Sequence, residues 1–155
     1  PMANPGRVKR QLIGVADPQF AEPMIETLQR QGLSDAWVVH GDGMDELTTT
    51  TMSWAASLEN GKVTEIEIAP EEAGVERATL ADLKGGDAAH NAEAINKVLA
   101  GEKNAFRDIV ILNSAAALMV AGKAKDLRQG ADLAARSIDT GKAATALATL
   151  KRICA

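Results

Sequence analysis

The 155-residue chain has no tyrosine, two tryptophans and two phenylalanines, so aromatic residues make up only 3% of it. A core with so few rings must be built from Ala, Leu, Ile, Val and Met, which favours closely packed elements with small side chains. The one cysteine, Cys154, cannot close an internal disulfide. Near the end of an amphipathic segment it reads as a small apolar packer rather than a nucleophile. No apolar run reaches the ~18–20 residues that a bilayer-spanning helix needs. The opening Pro1-Met2-Ala3-Asn4-Pro5 has no apolar centre, so it is not a signal peptide. These absences point to a cytoplasmic chain with no membrane partner. Basic residues are also in deficit, 17 Lys and Arg against 21 Asp and Glu, for a net charge of −4. That balance argues against a general nucleic-acid surface, which needs clustered cations.

What is present is an ordinary globular mixture, 46% hydrophobic and 25% charged, of a length suited to one domain or a substantial piece of one. The first residue is Pro rather than Met, and Arg7-Val8-Lys9-Arg10 leads straight into an apolar run. A chain cut from something longer would begin this way, and so would a processed end.

Leu12-Ile13-Gly14-Val15 reads as a buried strand. Asp17-Pro18 then supplies a helix N-cap with Pro at the first helical position. Phe20, Met24, Ile25 and Leu28 share one face of the expected helix, Gly32 ends it, and Ala36 to His40 is again strand-like. The result is a βαβ unit with a parallel strand pair. Thr48–Thr51 and Ala55–Leu58 have β character, and Glu59-Asn60-Gly61-Lys62 is a hairpin turn. The return strand from Val63 places Thr64, Ile66 and Ile68 on one face. From Thr79 onward the reading is helical. Thr79 and Asp82 have capping-box spacing, and Asp87 caps a helix carrying Ala92, Ile95 and Leu99 to a stop at Gly101. Asp108–Ala121 is apolar nearly all round and therefore a buried helix. Helices over Leu127–Thr140 and Lys142–Cys154 follow, the last with Ala143, Leu147, Leu150 and Cys154 on one stripe. The expected class is α/β: a mostly parallel sheet with an added antiparallel hairpin, flanked by helices.

The most informative segment is His40-Gly41-Asp42-Gly43-Met44-Asp45-Glu46. It starts at the carboxyl end of the second parallel strand, where open α/β sheets place their ligands. Hard cations such as Mg2+ prefer carboxylate oxygens and keep several waters while bridging to substrate phosphates. Adjacent Asp45 and Glu46 suit such an ion. Acidic residues beside glycine also occur in solvated turns, so the pattern alone does not decide. Lys84-Gly85-Gly86-Asp87 resembles a phosphate loop only superficially, because the Asp87 carboxylate would occupy the helix end that an anion needs. His40 and His90 lack partners at zinc-ligand spacing. No nucleophile-elbow pattern unites Ser, His and Asp into a triad. Trp37 and Trp54 read as packers.

Read together, several segments resemble anthranilate phosphoribosyltransferase along nearly the whole chain. They are Pro1-Met2-Ala3-Asn4-Pro5, Arg10 to Val15, His40 to Glu46, and Gly85-Gly86-Asp87 with Asn91-Ala92. Leu112 to Leu118, Ala121-Gly122-Lys123 and Ser137 to Ala143 complete the series. The resemblance implies the larger α/β domain of the nucleoside phosphorylase/phosphoribosyltransferase type, incomplete here. Residues 1–155 would form its carboxy-terminal portion, with 1–9 a remnant of the connection to a small helical domain. It also implies an active site in the cleft between the domains, where phosphoribosyl pyrophosphate and anthranilate meet in a step of tryptophan biosynthesis. By that resemblance Asp45 and Glu46 match the acidic pair binding Mg2+ on the pyrophosphate, and Pro1 matches a proline lining the anthranilate site.

The family's glycine-rich phosphate loop, its Lys-His-Gly segment and its anthranilate-binding Arg belong upstream of the matched stretch. The chain alone is therefore expected to be inactive. Thr51-Met52 stands where Gly-Pro is common in the family, and Met44 replaces Leu. The helices of the family's homodimer contact are mostly upstream too, so the resemblance implies a dimer only for the intact enzyme. Two other readings stay open: a pyrimidine-nucleoside phosphorylase, which has no use for an acidic metal pair, and a non-catalytic α/β binding module.

Overall fold

The computed structural model describes residues 2, 3, 6 and 8–154. Strand β1 (Arg10–Gly14) pairs in parallel with β2 (Asp35–His40), Leu12 lying opposite Trp37. Helix α1 (Ala21–Arg30) makes the crossover, entered through a single 3-10 turn over Pro18–Phe20. Asp17 caps that turn by accepting the Gln19 N–H at 3.0 Å, as its position before Pro18 predicts. Strand β3 (Ser53–Glu59) runs antiparallel to β2, and β4 (Lys62–Ile68) antiparallel to β3, giving the order β1-β2-β3-β4. The hairpin turn falls on Asn60 and Gly61, both at positive φ (50° and 78°), the backbone twist that two-residue hairpins select.

The sheet among the described residues is mixed, with one parallel ladder and two antiparallel ones. The α/β class, the added hairpin and the flanking helices are as the sequence predicts. Four more helices are longer than one turn: α3 (Ala88–Leu99), α4 (Ala105–Val120), α5 (Leu127–Asp139) and α6 (Lys142–Cys154). A one-turn helix, α2 (Pro70–Ala73), precedes them.

Strand alternation sends side chains to two cores. Ile13, Ala36, Val38, Ala56 and Leu58 meet Ala21, Ile25 and Leu28 of α1 on one face. Val39, Ala55 and Ile68 meet Ile111, Leu112, Ala115 and Ala116 of α4, with Leu127, Ala131, Ala134 and Ile138 of α5 behind. Trp37 and Trp54 pack against opposite faces, as packers should. Arg10 fastens the start of β1 to the end of α4, donating to the Ala121 carbonyl at 2.6 Å while pairing with Asp35 at 3.1 Å.

Several expectations need correction. Thr48–Thr51 is not strand; Thr48 and Thr49 are buried in an irregular turn. Threonine hydroxyls compete with a ladder for backbone groups, and here the Thr50 N–H donates to Thr48 Oγ1 at 3.0 Å. The Thr79–Asp82 box does close, with N–H bonds of 2.9 and 3.3 Å in the two directions, but it encloses a turn and no helix. Gly85-Gly86 stops propagation after that turn, and the helix begins only at Ala88, where Asp87 accepts the His90 N–H. Phe20 falls in the 3-10 turn before α1 and is exposed, so the buried face of α1 starts at Ala21. In α3 it is Val98 that is buried, while Ala92 and Ile95 are exposed. The α6 stripe is open only toward its end. Ala143 packs half-buried against the main core and Leu147 is half-buried, while Leu150 is 58% exposed and Cys154 is exposed rather than packed. Ile153, off that stripe, is 69% exposed.

Candidate functional site

The acidic segment leaves β2 at its carboxyl end, beside the end of β1. Gly41 and Met44 bridge each other, with N–H bonds of 3.2 and 2.9 Å, and close a tight turn whose two central residues are Asp42 and Gly43. Both are at positive φ, 52° and 78°. The strained Asp42 is tied down, its Oδ2 accepting from Thr50 Oγ1 at 2.6 Å. The turn leads directly into Asp45 and Glu46, Asp45 exposed and Glu46 half-buried.

Two glycines permit the arrangement. A β-carbon on Gly14 would overlap the Asp45 carbonyl, and one on Gly41 would stand 2.8 Å from the Glu46 carbonyl oxygen. Neither glycine needs an unusual φ; each is there because the backbone of the acidic loop passes too close for a side chain. Of the two, only Gly41 belongs to the segment that sequence reading singled out. Asn113 of α4 lies in the family-like stretch Leu112 to Leu118, which by itself gives it no role. Its side chain accepts the Leu47 N–H at 2.9 Å and donates to the Leu47 carbonyl at 2.8 Å and to Glu46 Oε2 at 3.3 Å. The signal that could have found it is a lone amide in the middle of an apolar helix.

Burial, and then the neighbouring charge of Asp45, raise the Glu46 carboxyl above its ordinary pKa. Among the described residues neither Asp45 nor Glu46 takes part in an ion pair. A cation bound beside the pair would favour the charged carboxylate and so oppose the Glu46 shift. Among the described residues no group of three or more His, Cys, Asp or Glu side chains is placed to hold a metal. Two carboxylates suit a hard divalent cation that completes its shell with water and phosphate oxygens rather than a full protein cage.

His40 ends β2 with Nδ1 2.9 Å from the Val15 carbonyl, so that nitrogen carries the proton. The Gly85-Gly86 loop is not open to an anion: Asn91 accepts the Gly86 N–H at 2.8 Å and donates back to its carbonyl at 3.1 Å. Thr51-Met52 takes no positive φ, so no glycine is required there. Pro1 lies outside the described residues. Among the described residues no helix is long and apolar enough to cross a membrane.

Residues 1–144 match the model of the glycosyl transferase family, a/b domain. The chain is 52% identical over its full length to the anthranilate phosphoribosyltransferase of Brucella canis, and 51% identical over 97% of its length to that of Sinorhizobium medicae. These alignments take in 45% and 44% of the two relatives, so the chain spans less than half the length of the curated relatives it matches. Among solved structures, the anthranilate phosphoribosyltransferase of Thermus thermophilus superimposes with a TM-score of 0.77 at 37% identity, over 85% of this chain and 39% of that one. The Saccharomyces cerevisiae enzyme in complex with PRPP and Mg gives 0.80 at 20% identity, over 89% and 41%, a likeness of fold. By the match over residues 1–144, this chain belongs to the glycosyl transferase family, as part of its a/b domain.

Proposed function

We propose that the protein carrying this chain transfers a phosphoribosyl group from phosphoribosyl pyrophosphate to anthranilate. The products would be N-(5-phosphoribosyl)anthranilate and pyrophosphate, in tryptophan biosynthesis. The observation that carries this reading is the adjacent Asp45–Glu46 pair, free of basic partners among the described residues, just past the carboxyl end of β2. Identity of about half to enzymes of that name supports it.

In this reading Asp45 and Glu46 hold Mg2+, the cofactor. When bound, the ion supplies positive charge against a departing diphosphate. The protein's own part is orientation: the Gly41–Met44 turn and the two abutting glycines fix where the carboxylates point. An aromatic amine is a serviceable nucleophile once placed, so little proton transfer is asked of nearby side chains. Pro1 lines the anthranilate site, and residues 1–9 lead from a small helical domain. The intact enzyme is a cytoplasmic homodimer, and the 155 residues alone do not turn over.

The test is anthranilate consumption, followed by its fluorescence, with phosphoribosyl pyrophosphate and MgCl2. The protein carrying this chain should be active, and Asp45→Asn with Glu46→Gln should lose at least about 100-fold in kcat/KM, as removal of a main charge-stabilising group does. Phosphorolysis of a pyrimidine nucleoside, indifferent to both substitutions, would replace this reading with a phosphorylase.

A further inference from the structure

Helix α4 is the most apolar of the long helices, yet Asn113 sits in its middle, next to the fully buried Leu112. Asparagine is a poor residue for a helix interior, so its place there calls for a local reason. The side chain supplies one. Its Oδ1 accepts from the Leu47 N–H (2.9 Å), and its Nδ2 faces the carbonyls of Leu47 (2.8 Å) and Ile109 (3.0 Å) and Glu46 Oε2 (3.3 Å). Two N–H protons serve three acceptors, so the carboxylate contact, the longest, is the weakest of the set. The stronger bonds hold the N–H and the carbonyl of a residue that is itself fully buried. A backbone gripped at both groups cannot rotate, and Glu46 is joined directly to it. From the other side, the close approach of Gly14 and Gly41 fixes the carbonyls of Asp45 and Glu46.

We propose that Asn113 is a positioning residue for the Asp45–Glu46 pair: from α4 it sets the direction in which Glu46 leaves the backbone and steadies one of its oxygens, leaving the other for a divalent cation. This rests on the metal role proposed above. A merely structural Asn113 would satisfy the buried Leu47 backbone and do nothing for the cation.

The experiment separates the two with Mn2+ as the probe, titrated into the full chain by water-proton relaxation and normalised to folded protein by circular dichroism. Asn113→Leu removes the whole clamp, and Asn113→Ser keeps a hydroxyl able to bond back to Ile109. Both should bind Mn2+ about 10-fold more weakly, the usual loss when a partner that orients a metal ligand is removed. Folded variants with affinity within twofold of the unaltered chain overturn the proposal.

A second measurement needs no substitution. Coupling is reciprocal, so saturating Mg2+ must slow hydrogen exchange at the Leu47 amide of the unaltered chain. An exchange rate indifferent to Mg2+ also overturns the proposal. If Asp45→Asn with Glu46→Gln leaves Mn2+ affinity intact, or the unaltered chain binds no Mn2+, the metal reading itself fails and takes the inference with it. Loss of affinity in that double variant but not at Asn113 sinks the inference alone.

Discussion

Gly14, the last residue of β1, lies so close to Asp45 that a methyl group on it would overlap the Asp45 carbonyl. Strand β1 is thus in direct backbone contact with the acidic loop. Gly14→Ala must push that loop outward or bend the strand, an overpacking cost of about 3 kcal/mol. Urea unfolding of the purified chain measures it, and a loss below about 0.5 kcal/mol would show that the contact yields easily.

Glu46 should titrate above its ordinary value of 4.5, with burial the larger cause and Asp45 the smaller. Carbon-13 NMR of the side-chain carboxyl, followed against pH, tests the order of the causes. In Asp45→Asn the midpoint should fall yet stay above 4.5. The sign for stability follows from proton counting: the folded chain holds this proton more tightly than the unfolded one. Glu46 therefore contributes stability that is complete below 4.5 and is lost as pH rises through the folded midpoint. A midpoint at or below 4.5 in the unaltered chain would contradict the burial.

Two glycines separate strain from packing. Gly61 has φ of 78° and nothing within 4 Å of where a β-carbon would stand. Gly61→Ala should cost only the left-handed penalty, about 1 kcal/mol. Gly130 of α5 is different, since its β-carbon would approach Cα and the carbonyl oxygen of Ala115 to 2.8 Å, between α4 and α5. Gly130→Ala should cost about 2 kcal/mol. Thermal melts of both variants rank them, and the reverse order would refute this assignment.

Helix α6 has no buried residue. Substitutions Leu150→Lys and Ile153→Lys should then leave the unfolding midpoint unchanged within about 0.5 kcal/mol. Sedimentation velocity should show less self-association than in the unaltered chain, because an exposed apolar stripe is removed. A large drop in stability would mean that α6 packs more tightly than its exposure indicates.

The legible parts of the fold were those fixed by local chemistry. Asp17-Pro18, Asn60-Gly61 and Asp87 each act through bonds within three residues, and each stands where its sequence placed it. Threonines 48–51 misled because β-branching favours strands while a hydroxyl, here that of the buried Thr48, favours turns. The stripes on α3 and α6 have helical spacing, but spacing says only that a face is apolar, not that this chain covers it. At the site the carboxylates announced themselves through their type and position. The features that hold them did not, because the Gly14–Asp45 approach and the Asn113–Leu47 grip join residues 31 and 66 positions apart.

The acidic loop, residues 41–52, departs from β2 and returns to its immediate neighbour β3, with His40 paired to Trp54 at its base. A segment anchored at both ends in adjacent strands, and bolted to α4 between them, is held at three points. The carboxylates therefore share their footing with two strands and a helix, so a shift in any one of these supports reaches them.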